Sequence, residues 1–164
     1  PPREDAARSI TPGLGEAMDA GYHLVKDKMV FFGMPDTIIT PKHVFKTAFS
    51  QLKDDQDGIL CLFKAEKPEK SGMVRTDNNQ VIEIVDKPPQ TDLEWMWGCI
   101  IWRPRFTEYL HAAVCDGRSD FAAIMNGAIQ AGLRFRGVPM ARSSYIYLGT
   151  YEEIMELDQR MREG

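Results

Sequence analysis

The sequence has few cysteines, no long apolar run and no excess of positive charge, and each of these absences excludes a class of protein. Cys61, Cys99 and Cys115 are widely spaced and form no Cys-x-x-Cys or Cys/His cluster, so no zinc site is predicted. Cys61 and Cys99 lie in apolar, strand-like runs, which indicates small buried hydrophobic residues. No apolar run approaches the roughly 20 residues that span a bilayer. The first ten residues, PPREDAARSI, contain no signal-peptide core, so we expect a cytoplasmic protein.

The charge balance argues against nucleic-acid binding. The chain has 24 acidic and 20 basic residues and a formal net charge of -4, without the cationic stripe that backbone binding needs. Its 164 residues, 43% hydrophobic and 27% charged, are typical of a globular domain with a real core. We therefore expect one domain over residues 1–164 and neither a nucleic-acid nor a membrane partner.

Short apolar runs alternate with helical patterns along the chain, which predicts an α/β fold with mixed strand direction. The fully apolar run Met29–Phe32 is typical of a buried central strand. Asp77-Asn78-Asn79 predicts a tight hairpin turn, and Gly132 predicts the end of a helix. The predicted strands cover 29–32, 59–63, 72–75, 81–85, 95–102, 133–139 and 144–148, and the predicted helices cover 16–24, 43–52, 104–111, 119–131 and 151–162.

Asp36 is a candidate metal ligand because it follows the apolar run 29–32 at its carboxyl end. In open α/β sheets that edge is where ligands bind, and a carboxylate suits Mg²⁺, which prefers hard oxygen ligands. The alternative is that Asp36 only caps the turn before the next helix, as Asp often does.

Two further candidates follow from glycine, proline and charge at predicted strand ends. Lys87, held before Pro88, can meet a phosphate as a point charge, and Asp86 can accept hydrogen bonds from sugar hydroxyls. Gly72 opens a strand and permits close backbone approach to a ligand. The alternatives are a solvated charged turn at Asp86-Lys87 and an ordinary turn glycine at Gly72.

Three tryptophans share one predicted strand. Trp95 and Trp97 are expected to face one side and Trp102 the other, and this aromatic surface lines either a sugar pocket or the core. The histidines are far apart in predicted helices and receive no catalytic role.

Taken together, these segments resemble the sugar-1-phosphate nucleotidyltransferases, especially the glucose-1-phosphate thymidylyltransferase-like proteins. The resemblance extends from about Thr11 onward, and its segments occur in the family's order. They are Pro12–Ala17 (PGLGEA), Phe31–Thr37 (FFGMPDT), Ser71–Val74 (SGMV), Val81–Pro88 (VIEIVDKP), Trp97–Trp102 (WGCIIW) and Leu148–Thr150 followed by Glu152.

The resemblance implies an incomplete doubly wound, Rossmann-like mixed sheet and a family reaction in which a sugar-1-phosphate attacks a nucleoside triphosphate and releases pyrophosphate. By the same resemblance Asp36 holds Mg²⁺ and Lys87 grips the sugar phosphate. The substrate pocket is expected to include Gly72, Asp86, Lys87, Trp97 and Gly98.

Two departures from the family pattern concern the nucleotide and the metal. The glycine-rich loop with arginine and lysine that cradles the triphosphate has no counterpart before Thr11, so we expect a domain truncated at its N-terminus relative to the family. Tyr147 occupies the expected place of a second metal-binding aspartate, and a tyrosine is a poor hard ligand at neutral pH.

These departures leave two functions open. The first is a nucleotidyltransferase domain that is incomplete or inactive alone. The second is a non-catalytic sugar-phosphate-binding or oligomeric structural protein derived from that fold. Loss of early strands would expose an apolar sheet edge, so we expect a homodimer or higher oligomer.

Overall fold

The computed structural model describes residues 13–163, so the predicted break at Pro12 and the segment before it lie outside the described residues. None of the helices in this range combines the length and apolar character that spanning a bilayer requires. The helices are α1 (Leu14–Asp19), α2 (Tyr22–Val25), α3 (Val44–Phe49), α4 (Pro104–Cys115), α5 (Phe121–Gln130) and α6 (Tyr151–Glu163). The strands are β1 (Val30–Gly33), β2 (Thr37–Thr40), β3 (Gly58–Lys64), β4 (Gly72–Asp77), β5 (Gln80–Asp86), β6 (Trp95–Trp102), β7 (Phe135–Pro139) and β8 (Ser144–Tyr147).

One mixed sheet organises the structure. Its strand order is β1-β6-β3-β7-β5-β4, and β2 and β8 form a separate antiparallel pair. Strands β3 and β7 run parallel, whereas β6 runs antiparallel to β1 and to β3. The predicted α/β class with mixed strand direction is confirmed. The β4–β5 hairpin also pairs with β6 through Met73 and with β7 through Gln80, so it is held from both sides.

The core consists of two apolar clusters, one on each face of the sheet. Successive residues of β3 alternate between them, with Leu60 and Leu62 in the cluster that contains α4 and α5 residues. Ile59, Cys61 and Phe63 belong to the cluster on the α3 side. Because both faces of β3 are covered, all its residues except Lys64 are buried. Full burial of such an apolar side chain contributes about 1.5–3 kcal/mol.

The prediction that residues 29–32 form a buried central strand is wrong. In the described part of the chain β1 pairs only with β6 and forms an edge of the sheet, and Phe31 is 49% exposed. Phe31 instead contacts the rings of Phe45 and Phe49 at centroid distances of 5.8 and 5.7 Å. An apolar run shows that a strand has two apolar faces, but partners distant in the sequence decide whether both faces are covered.

A β-bulge at Gly98 reverses the predicted orientation of Trp102. Along the β3–β6 pair, Cys61 faces Cys99 and Leu62 faces Trp97, so Gly98 is an extra residue on β6. The insertion shifts the alternation of side chains by one position. Trp102 therefore lies in the same core cluster against which Trp95 and Trp97 pack, not on the opposite face.

Local signals located most turns correctly. Asn78 and Asn79 have φ of 48° and 65°, as expected for the tight turn between β4 and β5. Gly132 has φ of 87° and follows α5, which confirms the predicted helix end. The single helix predicted over 16–24 is wrong, because α1 ends at Asp19 and α2 begins after Gly21, a poor helix former. Strand β2 was not predicted.

Candidate functional site

A cavity of about 830 Å³ lies where the β4–β5 hairpin and β6 approach β8, the start of α5 and α6. Clefts of this size accommodate small ligands. Of the predicted substrate residues, Gly72, Asp86, Lys87 and Trp97 line it. The other lining residues are Gly13, Leu14, Met34, Lys64, Glu66, Lys67, Glu69, Lys70, Ser71, Met96, Ser119, Asp120, Phe121, Ala122, Tyr145, Ile146, Tyr147, Thr150, Glu153, Glu156 and Leu157.

The open end of the β4–β5 hairpin brings three predicted residues together. Gly72 pairs with Asp86 across the two strands, and the backbone N–H of Lys87 donates to the Ser71 carbonyl at 3.0 Å. Lys87 has φ of 44°, a left-handed conformation that costs a residue with a Cβ about 1–2 kcal/mol. Its Nζ lies 3.9 Å from Asp86 Oδ2, and both side chains are largely exposed. The turn therefore holds the Lys87 backbone in a strained position while its ammonium group remains accessible.

Gly72 makes room for Trp97. A Cβ at Gly72 would collide with the indole nitrogen Nε1 of Trp97, so only glycine allows this ring to lie against the strand. Trp97 also contacts Phe121, the first residue of α5, with ring centroids 4.8 Å apart. The half-buried ring of Trp97 lines the cavity and also packs against the core.

Gly98 lies one layer behind the cavity. It is buried and is not among the described residues that line the cavity wall. A Cβ at this position would come within 2.6 Å of Tyr145 Cε2 and 2.7 Å of the Phe63 ring. The absence of a side chain at Gly98 therefore positions Tyr145, which does line the cavity.

Asp36 precedes β2 next to the cavity without lining it. Its carbonyl accepts a hydrogen bond from Leu148 N at 2.8 Å, and Thr37 pairs with Tyr147. The strand pair thus places Asp36 beside Tyr147, the residue expected at the second metal position. The Oδ1 atom of Asp36 is buried and has no hydrogen-bond partner among the described residues. A buried carboxylate oxygen without a donor is a costly arrangement that a cation would relieve.

The described residues contain no cluster of three or more His, Cys, Asp or Glu that would hold a metal by itself. A cation at Asp36 would therefore take its remaining ligands from water or from a bound phosphate, which is how Mg²⁺ is commonly held. The residues present fit a metal ion whose other ligands are water or phosphate oxygens.

Tyr145 presents a neutral hydroxyl near this carboxylate. Burial raises the pKa of Tyr145 to about 12, a hydrogen bond with Thr37 opposes the shift, and the charge of Asp36 adds to it. At neutral pH the phenol is therefore protonated and remains available as a hydrogen-bond donor.

No protein-family model matches the sequence, and a search of curated proteins finds no similar one. Solved structures do resemble it. The Bacillus anthracis protein assigned as a glucose-1-phosphate thymidylyltransferase, determined with sucrose, superposes with a TM-score of 0.76 at 16% identity, over 96% of this chain and 64% of its own. The inositol-1-phosphate CTP transferase of T. maritima superposes with a TM-score of 0.72 at 16% identity, over 94% of this chain and 64% of its own. A UDP-glucose pyrophosphorylase in complex with UDP-glucose superposes with a TM-score of 0.71 at 19% identity, over 93% of this chain and 63% of its own.

This is the nucleotidyltransferase fold. At these identities the likeness establishes the fold alone, and the chain spans somewhat less than two thirds of each of the three proteins.

Several charged residues of the cavity were not predicted as site residues. Lys64, Lys67 and Lys70 come from a segment whose charge and proline content indicated only a loop, and Glu153 and Glu156 come from α6. Charge alone marks these residues as exposed, and only the packing of the elements shows that they surround one cavity. No histidine is among the described residues that line the cavity.

Proposed function

We propose that this chain provides the sugar-phosphate-binding and metal-binding part of a nucleotidyltransferase that makes nucleoside-diphosphate sugars. The observation that carries the proposal is the open end of the β4–β5 hairpin, where Gly72, Asp86 and Lys87 meet Trp97 on one cavity wall. The nucleotidyltransferase fold supports the same assignment.

Each residue of this wall has a distinct role in the proposal. The Lys87 ammonium binds the sugar phosphate as a point charge, and Asp86 accepts hydrogen bonds from the sugar hydroxyls. The Trp97 ring provides an apolar surface for the face of the sugar. The neutral Tyr145 hydroxyl donates from the opposite strand pair, where its pKa of about 12 keeps it protonated.

Asp36 is the proposed metal ligand, since its buried Oδ1 has no partner among the described residues. When bound, Mg²⁺ supplies charge neutralisation for phosphate oxygens. Tyr147 beside it offers no carboxylate, so we propose that the metal binds together with the phosphate substrate and only weakly without it.

Transfer of a nucleotidyl group also needs groups that hold a triphosphate. The 164 residues contain no glycine-rich loop with arginine and lysine of the kind that the family resemblance leads one to expect. We therefore propose that these residues, as a separate chain, bind a sugar phosphate but do not catalyse transfer.

Isothermal titration calorimetry with glucose-1-phosphate and Mg²⁺ tests the binding proposal. We expect binding that Lys87→Ala weakens and that Lys46→Ala, an exposed lysine on α3, leaves unchanged. Absence of binding by the folded chain would contradict the proposed function. Pyrophosphate release from a nucleoside triphosphate that disappears in Asp36→Ala would instead show that the separate chain is catalytically active.

A second candidate function is assembly without catalysis, and the exposed edge of the sheet favours it. In residues 13–163 strand β1 has one strand partner, and Phe31, Ile38 and Phe49 are 41–49% exposed. We propose that a homodimer or higher oligomer covers this edge. A monodisperse monomer in light scattering at high concentration would argue against that assembly.

A further inference from the structure

A second group of reactive side chains lies where α1 packs on α4, formed by residues outside the cavity wall. Asp19 ends α1, Cys115 ends α4, and His111 is one helical turn before Cys115. The His111 Nδ1 atom lies 3.0 and 3.1 Å from the two carboxylate oxygens of Asp19. Its other ring nitrogen, Nε2, lies 3.7 Å from Cys115 Sγ. The carboxylate of Asp19 thus contacts the imidazole of His111, which in turn contacts the thiol of Cys115.

The carboxylate determines which nitrogen of the imidazole is free. An ionised Asp19 can only accept hydrogen bonds, so an uncharged His111 carries its proton on Nδ1. The lone pair of Nε2 then points toward the Cys115 sulfur. This is the arrangement in which a histidine takes the proton of a neighbouring nucleophile while a third group holds the ring in place.

Tyr22 fixes the plane of the imidazole. Its ring stacks on His111 with centroids 3.7 Å apart and an angle of 7° between the planes. The Tyr22 hydroxyl donates to both carboxylate oxygens of Glu108, at 3.0 and 3.1 Å. His111 is therefore held on its edge by Asp19 and on its face by Tyr22, so its Nε2 cannot easily turn away from the thiol.

Cys115 is the one cysteine of this chain that reagents in solution can reach. Cys61 and Cys99 are buried in the core, whereas Cys115 is exposed. A modification that requires an accessible thiol would therefore occur at one position.

We propose that Cys115 is a nucleophilic thiol that exchanges with small disulfides and thiosulfonates, with His111 as the base and Asp19 as a positioning residue. The thiol proton moves to His111 Nε2 as Cys115 Sγ attacks one sulfur of the reagent. A new S–S bond to Cys115 forms while the S–S bond of the reagent breaks. With a disulfide, the departing thiolate takes the proton back from His111. With a thiosulfonate, a sulfinate anion departs and His111 releases the proton to water, so neither step needs an external oxidant or reductant.

The charges around the thiol select the reagent. Asp19 contacts His111, Glu108 contacts Tyr22 and Asp116 follows Cys115, so three carboxylates lie on this cluster and its neighbours, while Arg118 is paired with Asp116 at 3.4 Å. This excess of negative charge attracts cationic reagents and repels anionic ones, and salt screens the effect. The preferred partner is therefore a cationic disulfide of low molecular weight.

Two methanethiosulfonates of opposite charge, the trimethylammonium-ethyl and the sulfonato-ethyl reagents, test the proposal on the intact chain. Mass spectrometry at neutral pH follows the adducts, with N-acetylcysteine as the reference thiol. We expect one adduct, which is absent in Cys115→Ser. The ratio of the cationic to the anionic reaction rate should exceed the ratio for N-acetylcysteine. In about 0.5 M salt, which screens exposed charges, it should fall toward that reference ratio. Since general base catalysis contributes about 100-fold or more, His111→Gln should slow the reaction at least about tenfold.

His43→Gln, at an exposed histidine on the other side of the sheet, is the matched control and should react at the native rate. Asp19→Asn should give an intermediate rate, because the ring keeps a hydrogen-bond partner but loses the negative charge. Circular dichroism of each variant separates lost reactivity from lost folding. Equal rates for native protein and a folded His111→Gln variant would overturn the proposal, as would a charge ratio no greater than that of N-acetylcysteine.

Discussion

The strained backbone of Lys87 leads to a prediction that separates the contribution of this residue to stability from its contribution to binding. With φ of 44° this residue is in the left-handed region, where a Cβ costs about 1–2 kcal/mol and glycine has no such penalty. Strain of this kind persists where the surroundings enforce it and is common at binding sites. Here the enforcing contacts are the pairing of Gly72 with Asp86 and the hydrogen bond from Lys87 N to Ser71.

Comparison of Lys87→Gly with Lys87→Ala isolates the backbone contribution. Both variants lose the ion pair with Asp86, which is worth about 0–1 kcal/mol because the groups are 3.9 Å apart and their side chains are 63% and 45% exposed. The alanine variant keeps the strained Cβ and the glycine variant does not. After the larger unfolded-state entropy of glycine is subtracted, we expect the glycine variant to be more stable by about 0.5–1 kcal/mol.

Urea denaturation measures this difference as a shift of the midpoint at constant slope. In calorimetry with glucose-1-phosphate, both variants should bind about 10- to 100-fold more weakly than the native chain, as expected for loss of one charge-assisted contact of about 1.5–3 kcal/mol. A glycine variant less stable than the alanine variant would refute the strain argument. Native affinity in both variants would refute the assigned role of the ammonium group.

Three further predictions concern positions around the site and in the core. Gly98→Ala should destabilise the fold by about 1–3 kcal/mol through overpacking against Tyr145, measured by denaturation, and native stability would contradict the contact geometry. Because the pKa of Tyr145 rises from 10.0 to about 12 on folding, its contribution to stability is complete below pH 10 and is lost as the pH rises toward 12. Between about pH 9 and about pH 11, the free energy of unfolding should therefore decrease less in Tyr145→Phe than in the native chain. Asp57→Ala should cost about 2–4 kcal/mol, because this buried carboxylate accepts from Arg134 N at 2.8 Å. The exposed Asp55→Ala, which removes a surface ion pair with the Arg134 side chain, should cost less than about 1 kcal/mol, and equal costs would contradict the difference in burial.

Much of the candidate site was predicted from the family resemblance, and Gly72, Asp86 and Lys87 also lie at predicted strand ends. Gly72, Asp86, Lys87 and Trp97 were predicted as substrate residues, and all four line one cavity. Their roles in binding remain predictions. The positions were accessible from sequence because turns depend on the local residues, and a hairpin with Asn78-Asn79 at its tip fixes the pairing of its two strands.

The tertiary structure changed the interpretation of Asp36 and Gly98. Asp36 was predicted from the apolar run before it, but β2, which follows it, pairs with β8 more than 100 residues later and places it beside Tyr147. Gly98 was predicted to contact substrate and instead supports the wall from behind, through Tyr145. Neither relation has a local signature, because each depends on which distant strand lies alongside.

By itself, the sequence determined the alternation of strands and helices, the hairpin turn, the glycine at the end of α5 and the buried character of Cys61 and Cys99. Backbone conformation and hydrophobicity are properties of a residue and its near neighbours, so these features could be predicted without knowing the fold. Only the tertiary structure decided that β1 is an edge strand, that a bulge turns Trp102 to the side of Trp97, and that α6 and the loop 64–70 close one cavity. These features arise from contacts between segments far apart in the chain, and such contacts are chosen by the packing of the whole domain.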